Sequence, residues 1–203
     1  MYQVIGTARS RAMRVFCMLE ELEQDYEIIE ATPGSEKAAE INPSGKIPAL
    51  IDDGNVIYDS VAIMQYLADK HGKLTAPCGT VARAVQDSFV HFANDEMDSV
   101  LWVSQKHLSY YPEKVRLPDV RYAAEWDYLR ALRTLDQRLG DNEFVMGDEI
   151  SVPDLLISHC ANWAAALRFK KPKGRVAAYF RRLNERPATI RAFKKAVASA
   201  KNT

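Results

Sequence analysis

The chain has 203 residues, of which 47% are hydrophobic and 27% are charged, and its 27 basic side chains equal its 27 acidic ones. A chain of this length can bury a core large enough for one large domain or two small ones. Because the net charge is zero, composition gives no reason to expect binding to nucleic acid or to a membrane surface. No run approaches the length of about 18 apolar residues that spans a membrane, so we expect a cytoplasmic protein.

The first part of the chain alternates between strand and helix patterns. Short runs of strand formers flank a segment in which apolar residues recur at helical spacing from Ala12 onward. The dipeptide Asp53-Gly54 predicts a tight hairpin between two short strands. The predicted elements are a strand at 2–6, a helix at 12–22, a strand at 26–29, a helix at 36–41, the hairpin, and a helix at 59–71.

The second part of the chain is predicted to be helical throughout. Glycines and Pro77 between residues 72 and 79 indicate a linker. Ser151, followed by Pro153 and Asp154, is typical of a capped helix start, and we expect this signal to serve folding rather than catalysis. Further helical patterns cover 81–108, 119–139, 176–186 and 187–200, so we predict two domains, at 1–75 and 81–203.

The cysteines and histidines indicate no metal site. Cys17, Cys78 and Cys160 are far apart, and no C-x-x-C pair or Cys/His ligand spacing is present. A sparse, odd number of cysteines is typical of a reducing compartment rather than of a disulfide framework. His91, His107 and His159 have no nearby partner pattern for a catalytic triad or a metal site, so we interpret them as structural.

The most informative segment runs from Asn42 to Leu50 and is followed by an Asp59-Ser60 pair. It predicts a turn into an edge strand, where Pro48 leaves backbone groups unpaired and an extended peptide could dock against Ile47. Asp59-Ser60 would place a carboxylate, a hydroxyl and free N–H groups at a helix start. Together these features predict a site for a small, charged, peptide-like molecule.

The order N-P-S-G-K-I-P-A-L, then D-S-x-A-I-x-x-Y-L, closely resembles the glutathione-binding half of the cytosolic glutathione S-transferases. The resemblance implies an α/β thioredoxin-like N-terminal domain and an all-α C-terminal domain. It implies that Pro48 follows a cis bond and that Ile47 pairs with the cysteinyl backbone of glutathione. It also implies that Asp59 holds the γ-glutamyl ammonium, Ser60 holds its carboxylate, and Lys46 holds the glycyl carboxylate.

Glutathione conjugation requires a thiolate, because the anion is the nucleophile and a free thiol has a pKa of about 8.5. A hydroxyl donated to the sulfur at a helix N-terminus lowers that pKa. Ser10 lies immediately before the first helix, and the segment 6–14 resembles a bacterial branch of the family with Ser or Thr in this loop. We therefore predict Ser10 as the catalytic residue, with Thr7 as the open alternative.

The loop differs from better-known branches of the family. Tyr2 is the only tyrosine before the helix and comes too early to activate a thiol, and no cysteine is present to form mixed disulfides. Arg9, Arg11 and Arg14 cluster around the loop, where one could reinforce the thiolate or reach a glutathione carboxylate.

A second, electrophilic substrate is predicted to lie between the domains against an aromatic wall. Its candidate residues are Trp102, Tyr110, Tyr111, Met13 and Trp163. The predicted reaction is the addition of the glutathione thiol to this electrophile without a metal. Two alternatives stay open: glutathione-dependent reduction of peroxides or disulfides, and a non-catalytic binding or regulatory role.

A homodimer is also predicted. Phe89, Phe92 and Met97 follow a helical pattern and are not all expected to be buried in one subunit, and two-fold dimers are the commonest oligomers. Residues 1–76 carry seven basic and twelve acidic side chains, whereas the remainder carries twenty and fifteen, which favours pairing of unlike domains. The resemblance implies the same pairing, and in it Asp95 could reach a neighbouring glutathione.

Overall fold

The computed structural model describes residues 1–200, which form two compact units. The first unit comprises Met1–Pro77 and residues 184–200, and the second comprises Cys78–Leu183. The sequence predicted a single helical domain over 81–203, whereas the last helix groups with the first unit. Side-chain pairing between helices far apart in the chain decides this grouping, as described below.

The first unit contains a four-stranded sheet in the order β2-β1-β3-β4. Strand β1 pairs parallel to β2 and antiparallel to β3, and β3 pairs antiparallel to β4. The predicted order β-α-β-α-β-β-α is confirmed. Its elements are β1 Tyr2–Ile5, α1 Ala12–Glu21, β2 Tyr26–Ile29, α2 Glu36–Ile41, β3 Ala49–Asp52, β4 Asn55–Tyr58 and α3 Ser60–His71.

The prediction that the segment after Pro48 forms an edge strand is wrong. Strand β3 is central, since Leu50 pairs with Val4 of β1 on one side and with Ile57 of β4 on the other. Pro48 is tolerated because it precedes Ala49, the first paired residue, and so removes no hydrogen bond from the sheet.

The core of the first unit lies between the sheet and helices α1 and α3. Helix α1 buries Val15, Phe16 and Leu19, and α3 buries Ile63 and Leu67. Complete burial of a side chain of this size stabilises the fold by about 1.5–3 kcal/mol. This packing holds the start of each helix in place beside the sheet.

Helix α9, Pro187–Ser199, packs against α1 and is bound to it by ion pairs. Arg186 Nε and Nη2 donate to the two carboxylate oxygens of Glu21 at 2.5 and 2.8 Å. Arg191 Nε donates to Glu20 at 2.8 Å, and Lys195 Nζ donates to the Tyr26 carbonyl at 2.8 Å. Basic residues of the C-terminal helix therefore neutralise part of the acidic excess of residues 1–76 within the same unit.

The second unit is helical. Residues 81–110 form a continuous helical segment, as predicted, but two π-helical turns at Ala93–Asp98 and Lys106–Tyr110 interrupt its α-helical pitch. The predicted capping box at the start of α7 is present, with Asp154 Oδ2 accepting from the Ser151 N–H at 2.8 Å. The helices are α4 Val81–Phe92, α5 Ser99–Gln105, α6 Val120–Leu139, α7 Val152–Ala166 and α8 Gly174–Glu185.

The apolar residues on which the dimer prediction rested are buried within one chain. Phe89, Phe92 and Met97 are 4%, 6% and 0% exposed. Their burial removes the argument for a dimer that was based on these residues, and the oligomeric state remains a prediction.

Among residues 1–200, no helix is both long enough and apolar enough to cross a membrane.

Candidate functional site

Three segments of the first unit meet at one end of the sheet. Ile5, the last residue of β1, pairs with Ala49, and Ala49 pairs in turn with Tyr58, the last residue of β4. The loop after β1, the Ile47-Pro48 dipeptide before β3 and the Asp59-Ser60 pair after β4 therefore lie side by side. Strand register alone brings these predicted site segments together.

The loop between β1 and α1 is packed closely against the helix start. A Cβ atom on Gly6 would lie 2.4 Å from the Cβ of Ala12, so only glycine fits at this position. Ser10 Oγ accepts from the Ala12 N–H at 3.1 Å and donates to the Thr7 carbonyl at 2.8 Å. The Thr7 hydroxyl forms no hydrogen bond within residues 1–200. The Ser10 hydroxyl therefore accepts a hydrogen bond from the first N–H of α1 and donates its own proton to a neighbouring carbonyl.

The peptide bond between Ile47 and Pro48 is cis, as the resemblance implied. The N–H and C=O of Ile47 form no hydrogen bond with the part of the chain that the structure describes, because the residue lies beyond the paired ends of β1 and β4. The expectation of free backbone groups at Ile47 is therefore correct, although the strand that follows is central.

Asn42 holds the turn that leads to Ile47. Its side-chain amide donates to the Lys46 carbonyl at 2.9 Å, and its Oδ1 accepts from the Ser44 N–H at 3.1 Å. Gly45 has a φ of +64° and its carbonyl accepts from the Gly34 N–H at 2.8 Å. Sequence reasoning did not assign Asn42 a role, although an Asn before Pro-Ser-Gly is typical of such side-chain-bonded turns.

Asp59 caps helix α3 with one carboxylate oxygen. Its Oδ1 accepts from the N–H groups of Val61 and Ala62 at 2.9 and 3.2 Å. Its φ of +75° is uncommon for a residue other than glycine, and such backbone conformations occur often at functional sites. The Oδ2 atom of Asp59 and the N–H of Ser60 form no hydrogen bond within residues 1–200. The helix start therefore presents an acceptor and a donor side by side.

Arg14 is the residue near the loop that sequence reasoning undervalued. It is 2% exposed, and its Nη1 donates to the Oγ of Ser60, itself 2% exposed, at 3.3 Å. The sequence signal for this contact was the position of Arg14 in the first turn of α1, four residues after Ser10. The contact connects the first turns of α1 and α3 and puts a positive charge beside the hydroxyl. Both helix N-termini add positive potential at this end of the sheet.

The other sequence candidates are placed as follows. Lys46 is exposed beside Ile47, Asp95 is exposed on the first π-helical turn, and Met13 is half-buried on α1.

Burial, reinforced by the nearby Glu21 carboxylate, raises the pKa of the Cys17 thiol to about 12, so this thiol is inert at neutral pH.

Within the second unit, the aromatic residues singled out from the sequence form one cluster. The ring centroid of Trp102 lies 5.1 Å from that of Tyr110 and 6.4 Å from that of Trp163, and Tyr110 lies 6.2 Å from Tyr111. Lys106 Nζ is 5.9 Å from the Trp102 centroid. These rings are half-buried or exposed rather than part of the core, so they present an aromatic surface.

Comparison with known proteins gives a consistent result. Family models of the glutathione S-transferase N-terminal and C-terminal domains match residues 5–75 and 105–187. The chain is 28% identical over 151 residues to the glutathione S-transferase GstA of Escherichia coli O157:H7, which covers 72% of each chain. It is 27% identical over 170 residues to the disulfide-bond oxidoreductase YghU of Escherichia coli strain K12, covering 76% of this chain and 58% of that one. A crystal structure of a glutathione transferase from Methylococcus capsulatus matches with a TM-score of 0.87 and 25% identity, over 98% of this chain and 100% of that one.

Proposed function

The chain belongs to the glutathione S-transferase family, and from that premise we propose that it binds glutathione and adds the glutathione sulfur to an electrophile. The thiol loses its proton, the thiolate forms a C–S bond with the electrophilic carbon, and a leaving group departs or a proton is added. No metal is needed for this step, since the thiolate is itself the nucleophile.

The observation that carries the proposal is the unpaired backbone of Ile47. An extended peptide that lies against it can exchange N–H···O=C hydrogen bonds with both groups, in the manner of an added strand. Glutathione has a cysteinyl residue with one such N–H and one C=O, flanked by two charged ends. A docked cysteinyl residue would place its side chain toward the loop after β1.

The charged ends of glutathione match the groups on either side of Ile47. The ammonium of the γ-glutamyl end would contact the Asp59 Oδ2 atom, while its carboxylate would accept from the Ser60 N–H and hydroxyl. Arg14, bonded to Ser60, adds positive charge there. Lys46, exposed next to Ile47, is suited to the glycyl carboxylate because its ammonium is a flexible point charge.

Ser10 would stabilise the thiolate by donating its hydroxyl proton to the sulfur. Its Oγ already accepts the Ala12 N–H, and a hydroxyl that accepts a hydrogen bond becomes a stronger donor. The proton that Ser10 donates to the Thr7 carbonyl would turn to the sulfur when glutathione binds. The aromatic cluster of the second unit would contact an apolar electrophile.

The test is the pH titration of bound glutathione by thiolate absorbance. Ser10→Ala is expected to raise the pKa of the bound thiol and to slow conjugation of a model electrophile, with little change in glutathione affinity. Thr7→Val is the matched control, since it removes the neighbouring hydroxyl. If Thr7→Val raises the thiol pKa and Ser10→Ala does not, Thr7 is the activating residue.

Glutathione-dependent disulfide reduction is the second candidate, favoured by the similarity to a relative named as a disulfide-bond oxidoreductase. In that reaction two glutathione thiols are oxidised to one disulfide while the substrate disulfide is reduced to two thiols. The loop of residues 6–11 has no cysteine, so glutathione itself would have to supply both thiols. Parallel assays with electrophiles, disulfides and hydroperoxides separate the two reactions, and glutathione binding without turnover would indicate a binding role.

We also propose that the protein is a homodimer. Val56 and Tyr58 on β4 are 42% and 49% exposed, and Val81 and Val85 on α4 are 82% and 44% exposed. These exposed residues give each unit an apolar surface. The dimer proposal rests on them rather than on Phe89 and Phe92, which are buried. The exposed residues support the pairing of the first unit with the helical unit of a partner that the resemblance implies.

A further inference from the structure

A group of potential metal ligands lies in the second unit and includes none of the residues assigned to glutathione. Asp98, His159 and Cys160 each offer one ligand atom, and these three atoms lie within 4.8 Å of one another. We propose that they bind one zinc ion or a divalent transition metal of similar preference. This inference does not rest on the proposed function.

The three ligand types suit zinc. Zinc in proteins is bound by thiolate sulfur, imidazole nitrogen and carboxylate oxygen, usually in tetrahedral geometry. With bonds of about 2.0–2.3 Å, tetrahedral ligand atoms are separated by roughly 3.3–3.7 Å. The three ligand atoms lie within 4.8 Å of one another, so the excess over these separations is on the order of 1 Å at most, a difference on the scale of a small side-chain rotation. A mixed sulfur, nitrogen and oxygen set does not suit Mg²⁺ or Ca²⁺, which prefer oxygen ligands.

Charge balance supports the assignment. Asp98 and Cys160 are buried, and His159 is half-buried. A divalent ion bound to one carboxylate, one thiolate and one neutral imidazole makes a site with no net charge. Such a site can be buried at lower cost than separate charges. His159 is the one ligand of the three that is in partial contact with solvent.

The backbone holds the ligands on two packed helical segments. Asp98 is the last residue of the π-helical turn Ala93–Asp98, and π-helical turns are frequent at functional sites. His159 and Cys160 lie within α7, and the Cys160 Sγ is 4.0 Å from the Ala93 carbonyl oxygen at the start of the same turn. Ligands on packed helices are positioned more precisely than ligands on loops.

The probe for this site is Co²⁺, which replaces zinc and reports its ligands by absorbance. The full-length chain, treated with a chelator and free of glutathione (which binds metals itself), is titrated with Co²⁺. We expect one equivalent to bind with a thiolate-to-cobalt charge-transfer band in the near ultraviolet, and Zn²⁺ to abolish the band. Saturation without this band, or no binding, would overturn the proposal.

Variants then assign the ligands. His159→Gln and Cys160→Ser are expected to weaken Co²⁺ binding at least ten-fold, and Cys160→Ser to remove the charge-transfer band. His107→Gln and Cys78→Ser are matched controls that should bind like wild type. If Cys160→Ser fails to fold, His159→Gln decides, since this side chain is half-buried. Unchanged affinity in His159→Gln would refute the site, and metal binding without glutathione binding would refute only the proposed function.

Discussion

Asp59 caps α3 in the structure and has a second, proposed role in binding glutathione, and substitution can separate the two roles. One carboxylate oxygen caps α3 by accepting from the Val61 and Ala62 N–H groups. The other is proposed to contact the ammonium of glutathione. Asp59→Asn keeps a capping oxygen and a residue type that tolerates a φ of +75°, and removes only the negative charge. Asp59→Ala removes both the cap and the charge.

The expected magnitudes follow from these contacts. Asp59→Asn should change the free energy of unfolding by less than about 1 kcal/mol, because Asn and Asp are comparable caps. It should weaken glutathione binding by about 1–1.5 kcal/mol, or roughly five- to ten-fold, since a charged hydrogen bond becomes a neutral one. Asp59→Ala should lose about 1.5–3 kcal/mol of stability, from the lost cap and the positive φ of this position, and roughly ten- to a hundred-fold in glutathione affinity.

Calorimetric titration with glutathione and urea unfolding measure the two effects on the same samples. Asp53→Asn is a matched control, because Asp53 also has a positive φ, of +48°, but lies in the hairpin at the other end of the β3–β4 pair. It should bind glutathione like wild type. Wild-type affinity in Asp59→Asn would refute the contact with the ammonium and would remove Asp59 from the binding site.

Three further predictions concern stability and assembly. The Lys70 ammonium and the Tyr66 hydroxyl lower the pKa of Asp52 by donating to its carboxylate, so Asp52 stabilises the folded state above its ordinary pKa and this stabilisation is lost as the pH falls. Urea unfolding should therefore show that the stability advantage of wild type over Asp52→Asn shrinks below about pH 4; a constant difference would contradict this. Arg186→Met should lower the free energy of unfolding by about 1–3 kcal/mol, because Glu21 is left buried without this partner, and Glu21→Gln in the same chain should restore part of the loss. Light scattering at micromolar concentration should give twice the 22.9 kDa chain mass, and a Val85→Lys variant should shift it toward the monomer; a wild-type mass near 22.9 kDa would exclude the dimer.

Local sequence determined the elements of this protein. The Asp53-Gly54 dipeptide predicted the hairpin, apolar spacing from Ala12 predicted α1, and Ser151 predicted the start of α7, all of which the structure shows. The Asn42–Leu50 segment and the Asp59-Ser60 pair predicted the family as well. These signals are read from neighbouring residues, because turn geometry, capping and helical periodicity depend on interactions within a few positions of the chain.

Only the tertiary structure decided which of these elements meet. It made β3 a central strand, buried Arg14 against Ser60, and placed α9 on α1 of the first unit. It also brought Asp98 to His159 and Cys160, which no spacing in the sequence connects. Strand order and helix packing are set by the total area buried and by charge pairing between distant segments. Local periodicity shows which face of an element is apolar and leaves open which other element covers it.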